Sequence, residues 1–259
     1  MEKPVRAPSF RRSLMHASIA LLGATALGIA ACGGGGGGSG DDTLGNERPL
    51  DSSQAASTSG QTTVLAAQLD APWGLAFLAD GRMLVSEKSG SMALVSADGA
   101  SVQARVGGVP AVDTTGQGGL LDVAVGPDGW IYFTYAEAGA GGSGTALARA
   151  QLSGTALQNL QVIWRQTPKV AGGTHYGARI AFRNDGTLYL AVGERGVENN
   201  SGAANTGGSG VQNAGNTIGK VVHLRLDGAP ADGSALGIWS TGHRNPQGAA
   251  VRPGSNELW

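Results

Sequence analysis

Cysteine, aromatic residues and charge are all scarce in this chain of 259 residues. Its single cysteine excludes any internal disulfide bond. Only 14% of the residues are charged, so the chain lacks the dense basic surface of a nucleic-acid-binding protein. The formal net charge is −1, and residues 1–31 contribute +3 to it, so the remainder is mildly acidic. We therefore expect no nucleic-acid partner.

Residues 1–31 have the pattern of a signal peptide, in which basic residues up to Arg12 precede an apolar run. The run is short for a membrane span. Small residues then lead into Cys32, and the segment 29–32 resembles a bacterial lipoprotein cleavage box. This predicts export to the periplasm, with a lipid anchor at Cys32. An ordinary secretory signal followed by an incidental cysteine is the alternative.

Residues 32–61 are rich in glycine and polar side chains. They cannot bury enough apolar surface to offset the entropy lost on ordering, so they are predicted to form a disordered tether. The folded domain is expected to span residues 62–259. Its abundant glycine and low charge content indicate many tight turns and an all-β fold.

This domain repeats one hairpin motif, in which a glycine-containing turn joins two apolar runs. The four turns are Asp80-Gly81, Asp128-Gly129, Asp185-Gly186 and Pro253-Gly254. More strand-like segments lie between the copies, which predicts a β-propeller built from four-stranded blades. A β-sandwich is the alternative, but it would not require the same hairpin to recur. The intervening segments are Ala93–Ser96, Ala146–Leu152, Val162–Arg165 and Lys220–Leu226.

The third hairpin carries the first candidate site. A turn centred just before Asp185 places His175 opposite Glu194 at the open end of the hairpin. An imidazole beside a carboxylate fits a proton-transfer site or, equally, a surface ion pair. At equivalent places in other copies lie Gln117 and Arg244. Because equivalent positions of propeller blades form a ring, these side chains are expected at one mouth of the central channel.

The second copy offers another carboxylate for this ring, because Glu137 is equivalent to Glu194. His243 is interpreted as a structural histidine next to Arg244, and His223 as a solvent-facing strand residue. The polar ring favours a binding site, although loops at blade openings are often polar in any case.

An ordered series of motifs resembles the soluble sugar dehydrogenases that depend on pyrroloquinoline quinone (PQQ). This is the glucose/sorbosone dehydrogenase group, which includes the aldose sugar dehydrogenases. The resemblance covers about residues 71–259, and its most specific part is His-Arg-Asn-Pro-Gln-Gly at 243–248. The series consists of residues 116–122, His175 with 177–179, 193–194, 218–224 and 239–248.

The resemblance implies a six-bladed β-propeller that oxidises aldose sugars at the anomeric carbon to lactones, with PQQ at the channel mouth. Matched residue by residue, it implies His175 as the general base. Arg244 matches the arginine that binds PQQ and stabilises charge on its oxygens. Gln117 and Asn245 match polar cofactor contacts. Glu194 stands where some members have aspartate, and it would orient His175.

The chain departs from the family pattern at its end, because Trp259 lies inside the fourth hairpin copy. In the family, calcium-binding residues and further PQQ-binding residues lie beyond this point. We therefore expect a truncated sequence that forms an incomplete propeller of about four blades. No metal ligands are predicted in it, calcium is expected to bind to the missing part, and the fragment is not expected to bind PQQ tightly.

Two other functions compete with the dehydrogenase, whose expected partners are an aldose and an external electron acceptor. The first is a non-catalytic propeller lipoprotein that binds carbohydrate or protein, since propellers host many unrelated functions. The second is hydrolysis by a lactonase-type propeller. Hydrolysis needs a cluster of metal-ligating side chains in the channel, and the predicted ring offers too few.

Overall fold

The computed structural model describes residues 64–65, 68–196 and 210–259. The predicted signal peptide, the lipidation site at Cys32 and almost the whole predicted tether lie outside these residues. No helix within the described residues is long and apolar enough to cross a membrane.

The described residues form β-strands arranged as three antiparallel sheets, and they contain no helix. Each sheet consists of four strands that follow one another in the chain, which is the arrangement of a propeller blade. The first sheet contains β1 (Pro72–Phe77), β2 (Met83–Glu87), β3 (Met92–Val95) and β4 (Val102–Arg105). The second contains β5 (Leu120–Val125), β6 (Ile131–Gly139), β7 (Gly142–Ser153) and β8 (Ala156–Arg165). The third contains β9 (Gly177–Phe182), β10 (Thr187–Val192), β11 (Lys220–Arg225) and β12 (Ile238–Thr241).

The three sheets stack in chain order through apolar faces. One core lies between the first and second sheets and includes Leu94 and Phe133. A second core lies between the second and third sheets and includes Leu147 and Leu190. Face-to-face packing of successive meanders gives the expected propeller architecture.

A fourth hairpin follows the third sheet. Val251 pairs with Leu258 in an antiparallel bridge, and both side chains pack against a buried cluster of the third sheet that includes Tyr189. The described residues thus form three complete blades and the first hairpin of a fourth. The predicted all-β, incomplete propeller is confirmed.

Each of the first three hairpin turns depends on its Asp-Gly pair. In the third, the Asp185 carboxylate accepts the Thr187 backbone N–H at 3.1 Å, and Gly186 has a φ of +78°. A left-handed residue at this place favours glycine. Asp80-Gly81 and Asp128-Gly129 repeat the same contact and the same left-handed glycine.

The register predicted for the third hairpin was wrong by one residue near the turn. Phe182 pairs with Leu188, so the turn is centred on Asp185 itself. A bulge in β9 then shifts the register, and Gly177 pairs with Val192. These two deviations cancel at the open end of the hairpin.

Candidate active site

The open end of the third hairpin carries the loop of residues 172–176, called the His175 loop below. His175 has a φ of +52°, which side-chain-bearing residues rarely adopt. Its carbonyl oxygen accepts the Arg195 backbone N–H at 3.1 Å. A Cβ on Gly193 would lie 1.9 Å from that same oxygen, so only glycine permits this approach.

The His175 ring contacts the Glu194 carboxylate, since Nδ1 is hydrogen-bonded to Oε1. The Glu194 side chain is 1% exposed and the His175 side chain 12% exposed. An ionised carboxylate only accepts hydrogen bonds, so beside an ionised Glu194 a neutral imidazole takes the tautomer in which Nδ1 is the donor and Nε2 has the lone pair. Nε2 makes no hydrogen bond with any described residue. The arrangement can therefore accept a proton from a ligand at the mouth.

Two amide side chains hold the backbone on either side of this histidine. The Gln117 Oε1 accepts the His175 N–H at 2.8 Å, and the Asn245 Oδ1 accepts the Gly177 N–H at 3.0 Å. The resemblance implied that Gln117 and Asn245 are cofactor contacts. In the structure their carbonyl oxygens position the backbone around His175, which leaves the amide NH₂ groups as hydrogen-bond donors.

Arg244 reaches the same mouth from the segment of residues 242–248, called the Arg244 loop below. Its backbone carbonyl accepts the Glu194 N–H at 2.8 Å. Its side chain is exposed, and the guanidinium makes no hydrogen bond with the described residues. The structure therefore brings together Gln117, His175, Glu194, Arg244 and Asn245, contributed by loops of three successive repeats.

Glu137 does not share the environment of Glu194. Its carboxylate lies 2.6 Å from the Lys169 Nζ and 2.9 Å from the Arg165 Nε. Burial raises the pKa of Glu137, but hydrogen bonds from Lys169 and Arg165 outweigh burial, so the pKa is lowered. Although the two carboxylates are equivalent in sequence, Glu137 pairs with two cations and Glu194 binds a histidine.

The other two described histidines have partners of their own. The His243 Nε2 lies 2.7 Å from the Ser240 Oγ, in keeping with a structural role. His223, predicted to face solvent, is half-buried, and its Nε2 lies 2.8 Å from the Thr187 hydroxyl. Its ring lies against the Tyr189 ring, with the ring centres 5.1 Å apart and the planes tilted by 37°.

Sequence reasoning missed two buried cations near the mouth, Arg195 and Lys220. Arg195 is 1% exposed, and Lys220 is fully buried. The Lys220 ammonium donates to the carbonyls of Val211 and Ile218 at 2.8 and 2.6 Å. Lys220 directly follows Gly219, and Arg195 directly follows the site residue Glu194. These positions within the motifs were the only indication of the two cations in the sequence.

The donor set at the mouth suits an anionic organic cofactor better than a metal ion. An exposed guanidinium and two amide NH₂ groups are donors that match carboxylate and quinone oxygens. Within residues 64–65, 68–196 and 210–259, no group of three or more His, Cys, Asp or Glu side chains could hold a metal ion.

Comparison with known proteins identifies the class to which this site belongs. The family described as Glucose / Sorbosone dehydrogenase matches residues 69–259. The aldose sugar dehydrogenase YliI of Escherichia coli (strain K12) is 37% identical over 221 residues, which are 79% of this chain and 57% of that protein. The chain belongs to the glucose/sorbosone dehydrogenase family, the soluble PQQ-dependent sugar dehydrogenases.

Solved structures agree with this assignment. The soluble aldose sugar dehydrogenase from Escherichia coli, in its apo form, matches with a TM-score of 0.67 and 37% identity, over 76% of this chain and 58% of that one. The PQQ-bound aldose sugar dehydrogenase from Streptomyces coelicolor matches with a TM-score of 0.60 and 30% identity, over 76% and 57%. The chain spans about half the length of the curated relatives that it matches.

Proposed function

We propose that this chain supplies the proton-accepting part of a PQQ-dependent aldose dehydrogenase, which oxidises the anomeric carbon of a sugar to a lactone. The observation that carries the proposal is the His175–Glu194 pair. The His175 Nδ1 is hydrogen-bonded to the buried Glu194 carboxylate, and the His175 Nε2 makes no hydrogen bond with a described residue. Membership of a sugar dehydrogenase family supplies the substrate class.

In this proposal His175 acts as the general base. Its Nε2 removes the proton of the anomeric hydroxyl while the hydrogen on the same carbon leaves with its electron pair, so that a carbonyl forms. PQQ, when bound, supplies the acceptor for that hydride. Glu194 holds the ring in one tautomer and stabilises the imidazolium that forms, as carboxylates do beside catalytic histidines.

The remaining side chains at the mouth would hold the cofactor. Arg244 offers a guanidinium to its anionic oxygens, and such fixed charge is a large contributor to catalysis. Gln117 and Asn245 offer their amide NH₂ groups while their oxygens keep the His175 loop in place. Each amide would thus bind the cofactor through its NH₂ group and position the base through its oxygen.

We further propose that calcium accompanies the cofactor, as the family resemblance implies, and that an external acceptor reoxidises it. Export to the periplasm, with lipidation at Cys32, completes the proposal. The mass of the protein purified from the membrane fraction tests the anchor. The mature protein should carry the added mass of a diacylated N-terminal Cys32, and the Cys32→Ser variant should carry no lipid.

The test of function uses the complete gene product, loaded with PQQ and calcium and assayed with a panel of aldoses and a redox dye. His175→Gln is expected to lower turnover by about 10²–10⁴-fold, since that is the usual contribution of a general base, while PQQ absorbance on the protein persists. His223→Gln is the matched control, and it should retain turnover. Sugar binding without dye reduction by the unsubstituted protein would favour a non-catalytic binding propeller instead.

A further inference from the structure

Arg195 is the largest side chain that the described part of the chain buries completely. It directly follows Glu194, at the end of the third hairpin, and has a φ of +62°. Charged side chains are almost never buried to this degree unless they are paired.

The guanidinium donates to two carbonyls of the His175 loop. Its Nε donates to the Thr174 carbonyl at 2.9 Å, and its Nη2 to the Gly172 carbonyl at 2.5 Å. The guanidinium also lies 3.4 Å from the centre of the Tyr176 ring. The residues immediately before and after His175 are therefore both fixed by one side chain.

The same guanidinium ties the loop to the second blade. Its Nη1 donates to the Ser143 carbonyl at 2.9 Å, and the Ser143 hydroxyl lies 2.8 Å from the Tyr176 hydroxyl. Ser143 belongs to β7, whereas Arg195 belongs to the third blade. The loop that carries His175 is thus clamped between two blades.

No carboxylate in the described residues forms an ion pair with Arg195. Burial lowers the pKa of Arg195, and electrostatic interactions with Tyr176 and then with Asp113 and Glu194 offset part of that effect. A buried cation compensated mainly by carbonyls, a hydroxyl and an aromatic face, without an ion pair, stabilises a fold poorly. Its rigid planar fork, however, fixes several carbonyls in one geometry, which a lysine cannot do.

We propose that Arg195 is a positioning residue for the base: Glu194 fixes the His175 ring, and Arg195 fixes the left-handed backbone that carries the ring. The catalytic part of this inference rests on the proposed function, but the positioning part does not. Displacement of a catalytic group by about 1 Å lowers rates by about 10²-fold. Arg195 is therefore expected to set turnover rather than substrate affinity.

The first experiment needs no cofactor and uses the 259-residue chain. Amide hydrogen exchange is measured in Arg195→Lys and Arg195→Met, with Arg183→Met as the control. Arg183 also lies over a ring, that of Tyr189, but it is remote from the His175 loop. Both Arg195 variants should speed exchange at the amides of His175 and Gly177 by about tenfold or more, with the sheet cores unchanged.

Unchanged exchange at those amides, or an increase spread over all three blades and matched by Arg183→Met, would overturn the inference. A loop-restricted increase in Arg195→Met alone would also count against it, because it would show that charge suffices and that the planar fork is not needed.

The second experiment measures steady-state kinetics of the PQQ-loaded complete gene product. Arg195→Lys should lower kcat by about 10²-fold and leave KM for the sugar within about threefold, since the fork acts on the base alone. Equal changes in kcat and in 1/KM would contradict the positioning role. If the unsubstituted protein oxidises no aldose, the proposed function fails, and the exchange experiment then decides on its own whether Arg195 positions the loop.

Discussion

The His175 loop and the Arg244 loop meet at one mouth, but they are held in different ways. The His175 loop is fixed by the Arg195 guanidinium and by the side chains of Gln117 and Asn245. The Arg244 loop is held through its backbone, since its Arg244 carbonyl accepts the Glu194 N–H at 2.8 Å, and its arginine side chain is exposed. This difference fits the proposed function, in which His175 as the base would be held in reacting geometry and Arg244 would stay accessible to a cofactor.

The strands beneath the two loops differ in the same sense. In the second blade the Thr134 hydroxyl accepts the Asp122 N–H and donates to the Ala178 carbonyl in β9, both at 2.9 Å. Ser86 makes the equivalent bridge from the first blade to the Leu121 carbonyl. The third blade has Ala191 at this place, and the equivalent carbonyl of the fourth copy, that of Gln247, accepts the Arg179 Nε–H at 3.0 Å instead. The strand leading out of the His175 loop is therefore joined to the second blade by a buried hydroxyl, whereas the Arg244 loop is joined to the third blade by an exposed guanidinium.

The largest expected effect comes from Gly193→Ala. The new Cβ would lie 1.9 Å from the His175 carbonyl oxygen, so backbone has to move. We expect the free energy of unfolding to fall by more than about 3 kcal/mol, at the upper end of overpacking effects. Urea denaturation of the chain measures the change.

Gly248→Ala, in the Arg244 loop, is the matched control. Nothing lies within 4 Å of its added Cβ. Its free energy of unfolding should stay within about 0.5 kcal/mol of the original, as for ordinary surface substitutions. Equal destabilisation by the two glycine variants would remove the structural contrast between the loops.

The second prediction concerns the anchor beneath the His175 loop. Thr134→Val keeps the volume but leaves the Asp122 N–H and the Ala178 carbonyl without a buried partner. Two unsatisfied groups should lower the free energy of unfolding by about 2–3 kcal/mol, measured by urea denaturation. Thr134→Ser keeps the hydroxyl and should recover most of that loss. If the serine variant were as unstable as the valine variant, the lost methyl rather than the hydroxyl bridge would account for the effect.

The fold was predictable because one hairpin motif repeats along the sequence. The site was only partly predictable, because it depends on contacts between segments that lie far apart in the sequence. The Asp-Gly turns fixed the hairpins, because aspartate and a left-handed glycine favour one turn type. The β9 bulge was not predictable from the pattern, since a compensating shift of one residue leaves no trace in apolar periodicity. His175 reached its expected place opposite Glu194 because the two shifts cancel.

The roles of single side chains were harder to predict than their locations. Gln117 lies at the expected mouth, but its oxygen accepts a backbone N–H, and only the tertiary fold could show that contact. Arg195 escaped notice because nothing local distinguishes a buried arginine from the exposed ones around it. Glu137 and Glu194 are equivalent in sequence, and their different partners arise from Lys169 and Arg165, which the second blade alone provides.

The third prediction compares how much the Gln117 and Asn245 side-chain hydrogen bonds stabilise the fold. Asn245→Ala removes the acceptor of the Gly177 N–H, which is partly buried, and should lower the free energy of unfolding by about 1 kcal/mol. Gln117→Ala removes an exposed contact to His175, where water can take its place, so less than about 0.5 kcal/mol is expected. Thermal and urea unfolding measure both variants. A larger fall in the free energy of unfolding for Gln117→Ala than for Asn245→Ala would show that the exposed Gln117 contact contributes more stability than the Asn245 contact.

The smallest expected effect is a pH dependence of the Arg244 loop. Burial and then the charge of Lys220 lower the pKa of His243, so the folded state binds fewer protons than the unfolded state just below the ordinary histidine pKa. Stability should therefore decrease as the pH falls from 7 to 5, because folding opposes protonation of this ring. His223, whose pKa is lowered by burial and then by Arg183, contributes with the same sign, so the His243 share is measured by difference. His243→Gln should reduce the slope of unfolding free energy against pH, and amide exchange at pH 5 should rise in residues 242–248 before it rises in the His175 loop. An equal rise in both loops would show that acid acts on the whole mouth, and the contrast between the two loops would then not extend to their response to pH.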